Sequence, residues 1–220
     1  MSIYDPDVVF TDLGLAVIGG FFAWRLSKHG SDYLTRAGVV LMTGLASAAF
    51  FGAVFHAFFP PGAATTASSL AWVPVSLSIL VVAATLLALG VRVLAPGISR
   101  NVRRGVVALY AAAFAGVALF VDDSYGTIVR FYAPTLILFL IAAVREAMRG
   151  TGQGWWLLAI SFLISIGAAA LQQLRVAVHP DYLDHNALYH VLQGIALVLL
   201  YLGFVRLEHA IGTDPPTRGG

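Results

Sequence analysis

The stretch Asp184-His185-Asn186-Ala187-Leu188-Tyr189-His190-Val191-Leu192-Gln193 gathers two imidazoles, a carboxylate and two carboxamides at the start of an otherwise oil-soluble segment. Such groups are costly at membrane depth, so they line a cavity, pair with one another or hold an ion. A third imidazole, His56, closes another apolar run. Three imidazoles and a water form a familiar catalytic zinc site, in which the open fourth position activates the water. His56, His185 and His190 are the candidate ligands. Asp12, Asp122 and Asp123 are the candidate carboxylates, as general base or as partners that orient an imidazole.

Alternatives stand beside each of these. His56 also suits a plain hydrogen bond between helices, and His185 also suits a solvated loop. On a helix Asn186, His190 and Gln193 share one face. His185 lies five residues before His190, about 140° away around an ideal helix. The two rings therefore reach one point only if the helix opens irregularly near residue 185. Gly44, Ala48, Gly52 and His56 recur every four residues, and small residues at that spacing let a neighbouring helix approach closely. Arg130 and Arg175 are expected to pair with nearby aspartates, Arg130 with Asp122 or Asp123.

The rest of the chain must carry these residues through a bilayer. Of 220 residues, 59% are hydrophobic and 11% charged, against about a quarter charged in soluble domains. Spanning a hydrocarbon core of ~30 Å takes about 20 helical residues, and such runs recur seven times, with no soluble domain left over. They run roughly from Val8 to Trp24, Ala37 to Phe59, Leu70 to Leu94, Gly105 to Val121, Thr127 to Val144, Gly154 to Leu174 and Asn186 to Val205. Pro74 and Pro134 fall inside two of them and are expected kink points. The expected fold is an all-α bundle of seven transmembrane helices over residues 1–210, with a polar, disordered tail over 211–220.

Arginine and lysine set the expected orientation. Arg25, Lys28 and Arg36, then Arg92, Arg100, Arg103 and Arg104, then Arg145 and Arg149, then Arg206 and Arg218 alternate to one side, taken as cytoplasmic. The N-terminus then faces out. Asp12, His56, Asp122, Asp123, Arg130, Gln172, Gln173, Arg175, His179, His185 and His190 all fall at one level of the outer leaflet. Cysteine is absent, which excludes thiolate chemistry and cysteine metal sites. The last segment has no lysine for a retinal Schiff base, and no polar path crosses the inner half as an ion transporter needs.

The run from His185 to Gln193, together with His56, resembles the last-helix and second-helix motifs of the seven-helix superfamily of alkaline ceramidases and progestin/adipoQ receptors. That resemblance implies zinc held by one histidine of the second helix and two of the seventh, and in some members hydrolysis of a ceramide amide. Three features depart from the pattern. Gly52 stands where the superfamily carries serine, the third helix has no aspartate, and four residues rather than three separate His185 from His190. The expected function is a membrane-embedded, zinc-dependent hydrolase of a lipid amide or ester. The alternative is a non-enzymatic integral membrane protein, either a lipid or ligand sensor or a small subunit of a complex. Membrane lipids, a lipid-like substrate and a protein partner within the membrane are the expected partners, and nucleic acid is not. Composition suggests a multi-pass protein of a bacterial inner membrane.

Overall fold

The computed structural model describes residues 3–60, 62–179 and 182–212, with side chains of the last helix through Leu207. Pro61, the Pro180–Asp181 pair and the tail from 213 lie outside the described residues, and so does the expectation that the tail is disordered. The described residues form seven helices, each long and apolar enough to cross a bilayer: α1 Pro6–Leu26, α2 Tyr33–Phe58, α3 Thr66–Leu94, α4 Arg100–Phe120, α5 Tyr125–Met148, α6 Gln153–Gln173 and α7 His185–Gly212. The chain is an all-α, multi-pass integral membrane protein.

Several helices start earlier than the apolar runs alone imply, because polar caps draw them outward. The Asp32 carboxylate accepts from Leu34 N–H and Thr35 N–H at 2.8 and 3.2 Å, so α2 begins at Tyr33. Thr65 and Ser68 form a reciprocal capping box on α3, while Ser99 and Ser124 cap α4 and α5. Each cap satisfies backbone donors that a helix start leaves unpaired. Helices α3 and α5 continue through Pro74 and Pro134.

The packing order differs from the chain order. Neighbouring pairs run α1–α2, α2–α3, α3–α5, α5–α6, α6–α7 and α7–α1, which closes six helices into a ring, with α2 also touching α7. Helix α4 stands outside, against α3 and more lightly against α5. Leu41, Met42, Leu86, Leu89, Phe139 and Leu158 are fully buried within the ring. Phe10, Val17, Leu109 and Phe120 face outward, each more than two-thirds exposed, as a lipid-facing surface requires (68, 72, 73 and 85%).

Glycines set the closest approaches. Gly154 of α6 and Gly203 of α7 meet backbone to backbone: a Cβ on Gly154 would lie 2.5 Å from the Gly203 carbonyl oxygen. Apolar side chains gain little by leaving lipid for protein, so close van der Waals contact of this kind carries much of the helix association. Gly154→Ala is expected to force α6 from α7 and to destabilise the bundle by about 1–3 kcal/mol. Thermal unfolding in detergent measures this, with Gly14→Ala, where a Cβ meets nothing within 4 Å, as the neutral control.

Candidate functional site

The polar residues of the histidine end are assembled around the start of α1. Its buried stripe runs Val8, Asp12, Leu15, Gly19, Ala23 and Leu26, so helical periodicity points Asp12 into the ring. Asp12 is 4% exposed and His190 9%. The His190 Nε2 lies 3.3 Å from Asp12 Oδ1, and its Nδ1 lies 3.1 Å from Thr11 Oγ1. Helix α1 thus holds both ring nitrogens of a helix α7 histidine.

Gly52 explains how a carboxylate fits there. A Cβ at Gly52 would lie 2.9 Å from Asp12 Oδ2, so the notch left by the missing side chain is filled by the carboxylate from α1. The polar group at this point of α2 thus arrives from another helix. Gly44, two turns along the same strip, packs instead against Val82 of α3. The small-residue strip therefore serves two neighbours.

His56, one turn beyond Gly52, has its Nδ1 3.3 Å from Asp5 Oδ2, with both side chains one-quarter exposed. Its Nε2 has no hydrogen-bond partner among the described residues. His185 is the first residue of α7, and its Nδ1 lies 3.4 Å from Asp184 Oδ2. Asp184 caps the helix, accepting from the N–H groups of Asn186 and Ala187 at 2.8 Å each, while its own N–H donates to Asp7 Oδ2 at 3.3 Å. With α7 helical from residue 185, His185 and His190 point about 140° apart. Among the described residues, no three His, Cys, Asp or Glu side chains converge as a ready metal cage. Each of the three histidines nevertheless has its Nδ1 beside an oxygen, the arrangement that orients an imidazole for ligation through Nε2.

Asp122 belongs to a different structure. Its carboxylate accepts from the Thr127 hydroxyl and from Ser124 N–H, and Arg130 lies 3.7 Å away. Asp122 and Arg130 thus pair as the sequence suggests, and both belong to the cap of α5. The adjacent Asp123 is exposed. Neither has a contact with the histidines among those described.

Other polar groups of this end are not evident from residue types alone. Tyr125 donates to Gln172 Oε1 at 3.1 Å, Gln172 Nε2 donates to Asn186 Oδ1 at 2.8 Å, and Ser165 donates to Gln193 Oε1 at 3.0 Å. Trp72 reads by position as an interfacial aromatic. Its ring packs against Phe55 at 4.9 Å, beside His56, and its Nε1 is a buried donor without a partner. The face spacing of Asn186, His190 and Gln193 is the sequence signal for these bonds, but their partners depend on the order of helices around the ring.

Two measurements test these assignments. In a double-mutant cycle, Asp12→Asn and His190→Gln are expected to be coupled by about 0.5–3 kcal/mol in thermal stability, whereas Asp122→Asn and His190→Gln add independently. The second concerns pH. Hydrogen bonds from the side chains of Thr127 and Ser124, and from the Ser124 backbone, hold the Asp122 carboxyl below its ordinary range. Its stabilisation of the α4–α5 turn is complete above about pH 4 and is lost as pH falls through the lower folded value. Protection from hydrogen exchange at the start of α5, relative to the intrinsic rate at each pH, should fall in that acidic window, and Asp122→Asn should remove that pH dependence.

No curated protein and no solved structure matches the chain. A family profile described as a family of unknown function, DUF6962, matches residues 8–209. That match reaches into all seven helices and includes Thr11, Asp12, His56, His185 and His190, with Asp5 and Asp7 just ahead of it, and the chain belongs to this family.

Proposed function

We propose that the histidine end is a membrane-embedded hydrolytic site for a lipid amide or ester, and that it uses zinc. The carrying observation is the pairing of His190 Nε2 with Asp12 Oδ1. The Thr11 hydroxyl has one proton and lies 2.9 and 3.0 Å from the carbonyls of Asp7 and Val8, acceptors that helical threonines commonly use. With that proton on a carbonyl, Thr11 accepts from His190 Nδ1–H. The neutral ring then presents a bare Nε2 lone pair to a carboxylate oxygen, and two acceptors face each other. A cation must lie between them, either a proton or a metal. Two ligands ~2.0–2.1 Å from a tetrahedral zinc stand about 3.3–3.4 Å apart, which matches the observed separation.

In this proposal His190 and Asp12 provide two ligands. His56 joins through its open Nε2 by turning inward from Asp5. His185, on another face of α7, then stays with Asp184. Bound zinc would supply a water acidified enough to attack a carbonyl at neutral pH. Thr11 holds the His190 ring by Nδ1, while His56 gives up its Asp5 contact as it turns inward.

A second function, a non-enzymatic lipid or ligand sensor, is favoured by a different observation. Asp5, Asp7 and Asp12 tie the start of α1 to α2 and α7 at three points, which is a latch that needs no chemistry. In that case a proton, not a metal, sits between His190 and Asp12.

Elemental analysis of the full chain, purified without histidine tag or chelator, separates the two. The hydrolase predicts about one zinc per chain, retained by His185→Ala and lost with Asp12→Asn or His190→Ala at unchanged folding. It also predicts release of fatty acid from a panel of lipid amides and esters, abolished by removing zinc. Absence of zinc from a folded preparation supplied with zinc overturns the hydrolase and leaves the latch.

A further inference from the structure

The opposite, arginine-rich end holds a second surface, independent of the histidines. Along one face of α5, Leu140, Ile141, Val144 and Met148 line an open cavity of ≈ 670 Å³, and Arg145 and Arg149 stand at its end. Ile141 is 53% exposed and Met148 75%, so no part of the described chain covers this wall. Helix α4 does not cover it either. The ring stacking of Phe114 on Phe131 at 4.7 Å and the bond from the Tyr110 hydroxyl to the Phe131 carbonyl both join α4 to α5 in the half away from the arginines. The arginine half of α4, residues 100–109, is exposed except for half-buried Arg103 and Val107.

The charge here is one-sided. Arg145 donates from one guanidinium nitrogen to the carbonyls of Val93 and Leu94, the last of α3, at 3.3 and 3.4 Å. That bond fixes the group at the end of the groove and leaves its other N–H donors unused. Arg149 pairs with Glu146 at 3.2 Å but stays 54% exposed. Nearby, α4 begins with Arg100, Arg103 and Arg104 and has no acidic residue in its first turn. Cations at a helix N-terminus oppose the helix dipole, and among the described side chains only Asp32 and Glu146 offset the positive charge of this end.

We propose that this groove is a binding site for an anionic glycerophospholipid of the leaflet on the arginine side. Its acyl chain lies along Leu140, Ile141, Val144 and Met148, and its phosphate lies between Arg145 and Arg149. An occupant of an open apolar wall within a bilayer is a lipid. The headgroup sign follows from two guanidinium groups, Arg145 held by the end of α3 and Arg149 exposed beside Glu146, and guanidinium forks match phosphate oxygens in geometry.

Native mass spectrometry of the full chain mixed with equimolar phosphatidylglycerol and phosphatidylcholine tests this. Phosphatidylglycerol adducts should dominate, and Arg149→Gln should reduce them about fivefold. Arg25→Gln, on the opposite side of the ring, should leave them unchanged. Arg145→Gln should act like Arg149→Gln, and because Arg145 also bonds the end of α3, Arg149 is the deciding variant. Equal retention of both lipids, equal losses from Arg149→Gln and Arg25→Gln, or complete displacement by millimolar inorganic phosphate would each overturn the proposal. The last outcome would mark a free-anion site.

Discussion

The contact between Asp12 and His190 sets the terms for the histidine end of this protein. An ionisable pair removed from water must find compensation in its own surroundings, and a half-satisfied pair is worse than an apolar core. Here it comes from three helices at once. Helix α1 supplies the carboxylate and the Thr11 hydroxyl, α7 supplies the imidazole, and α2 supplies the notch at Gly52 that admits the carboxylate. A side chain at Gly52 would close the notch, and a shift of α7 along α1 would separate the pair. The polar contact therefore adds to the close glycine contacts in fixing the register of α1 against α7.

The surrounding bonds extend that constraint. Asp5 reaches His56, and Asp7 reaches the backbone of Asp184, the residue that caps α7. Asn186 and Gln193, on the same side of α7 as His190, are engaged by Gln172 and Ser165 of α6. The one buried side-chain donor left over among the described residues, Trp72 Nε1, comes from α3.

Much of this arrangement was legible in the residues. Seven apolar runs announce seven spans because hydrocarbon admits little else, and the alternation of arginines places Asp12, His56 and His190 at one level. Helix starts were less legible. Arg100 to Arg104 look like loop, yet Ser99 caps them into α4, and Asp32 does the same for the four residues before Ala37. The pairings were not legible. Asp12, Asp122 and Asp123 are equivalent candidates until the ring order is known, and only the placement of α7 against α1 selects Asp12. Likewise Gly44 and Gly52 form one strip by spacing, but eight helical residues turn them about 80° apart, enough to face α3 and α1 respectively.

The ring closes where its last-made helix meets its first. Because α7 packs against α1, the two halves of the Asp12–His190 pair are separated by nearly the whole length of synthesis. Until α7 arrives, Asp7 and Asp12 have no helix end or imidazole to meet them, and only Asp5 is matched, by His56 of α2. A chain interrupted anywhere before residue 190 leaves a carboxylate stranded at membrane depth. The same pair that forms the candidate site thus marks completion: an intact C-terminal helix is what makes the N-terminal one tolerable in the bilayer.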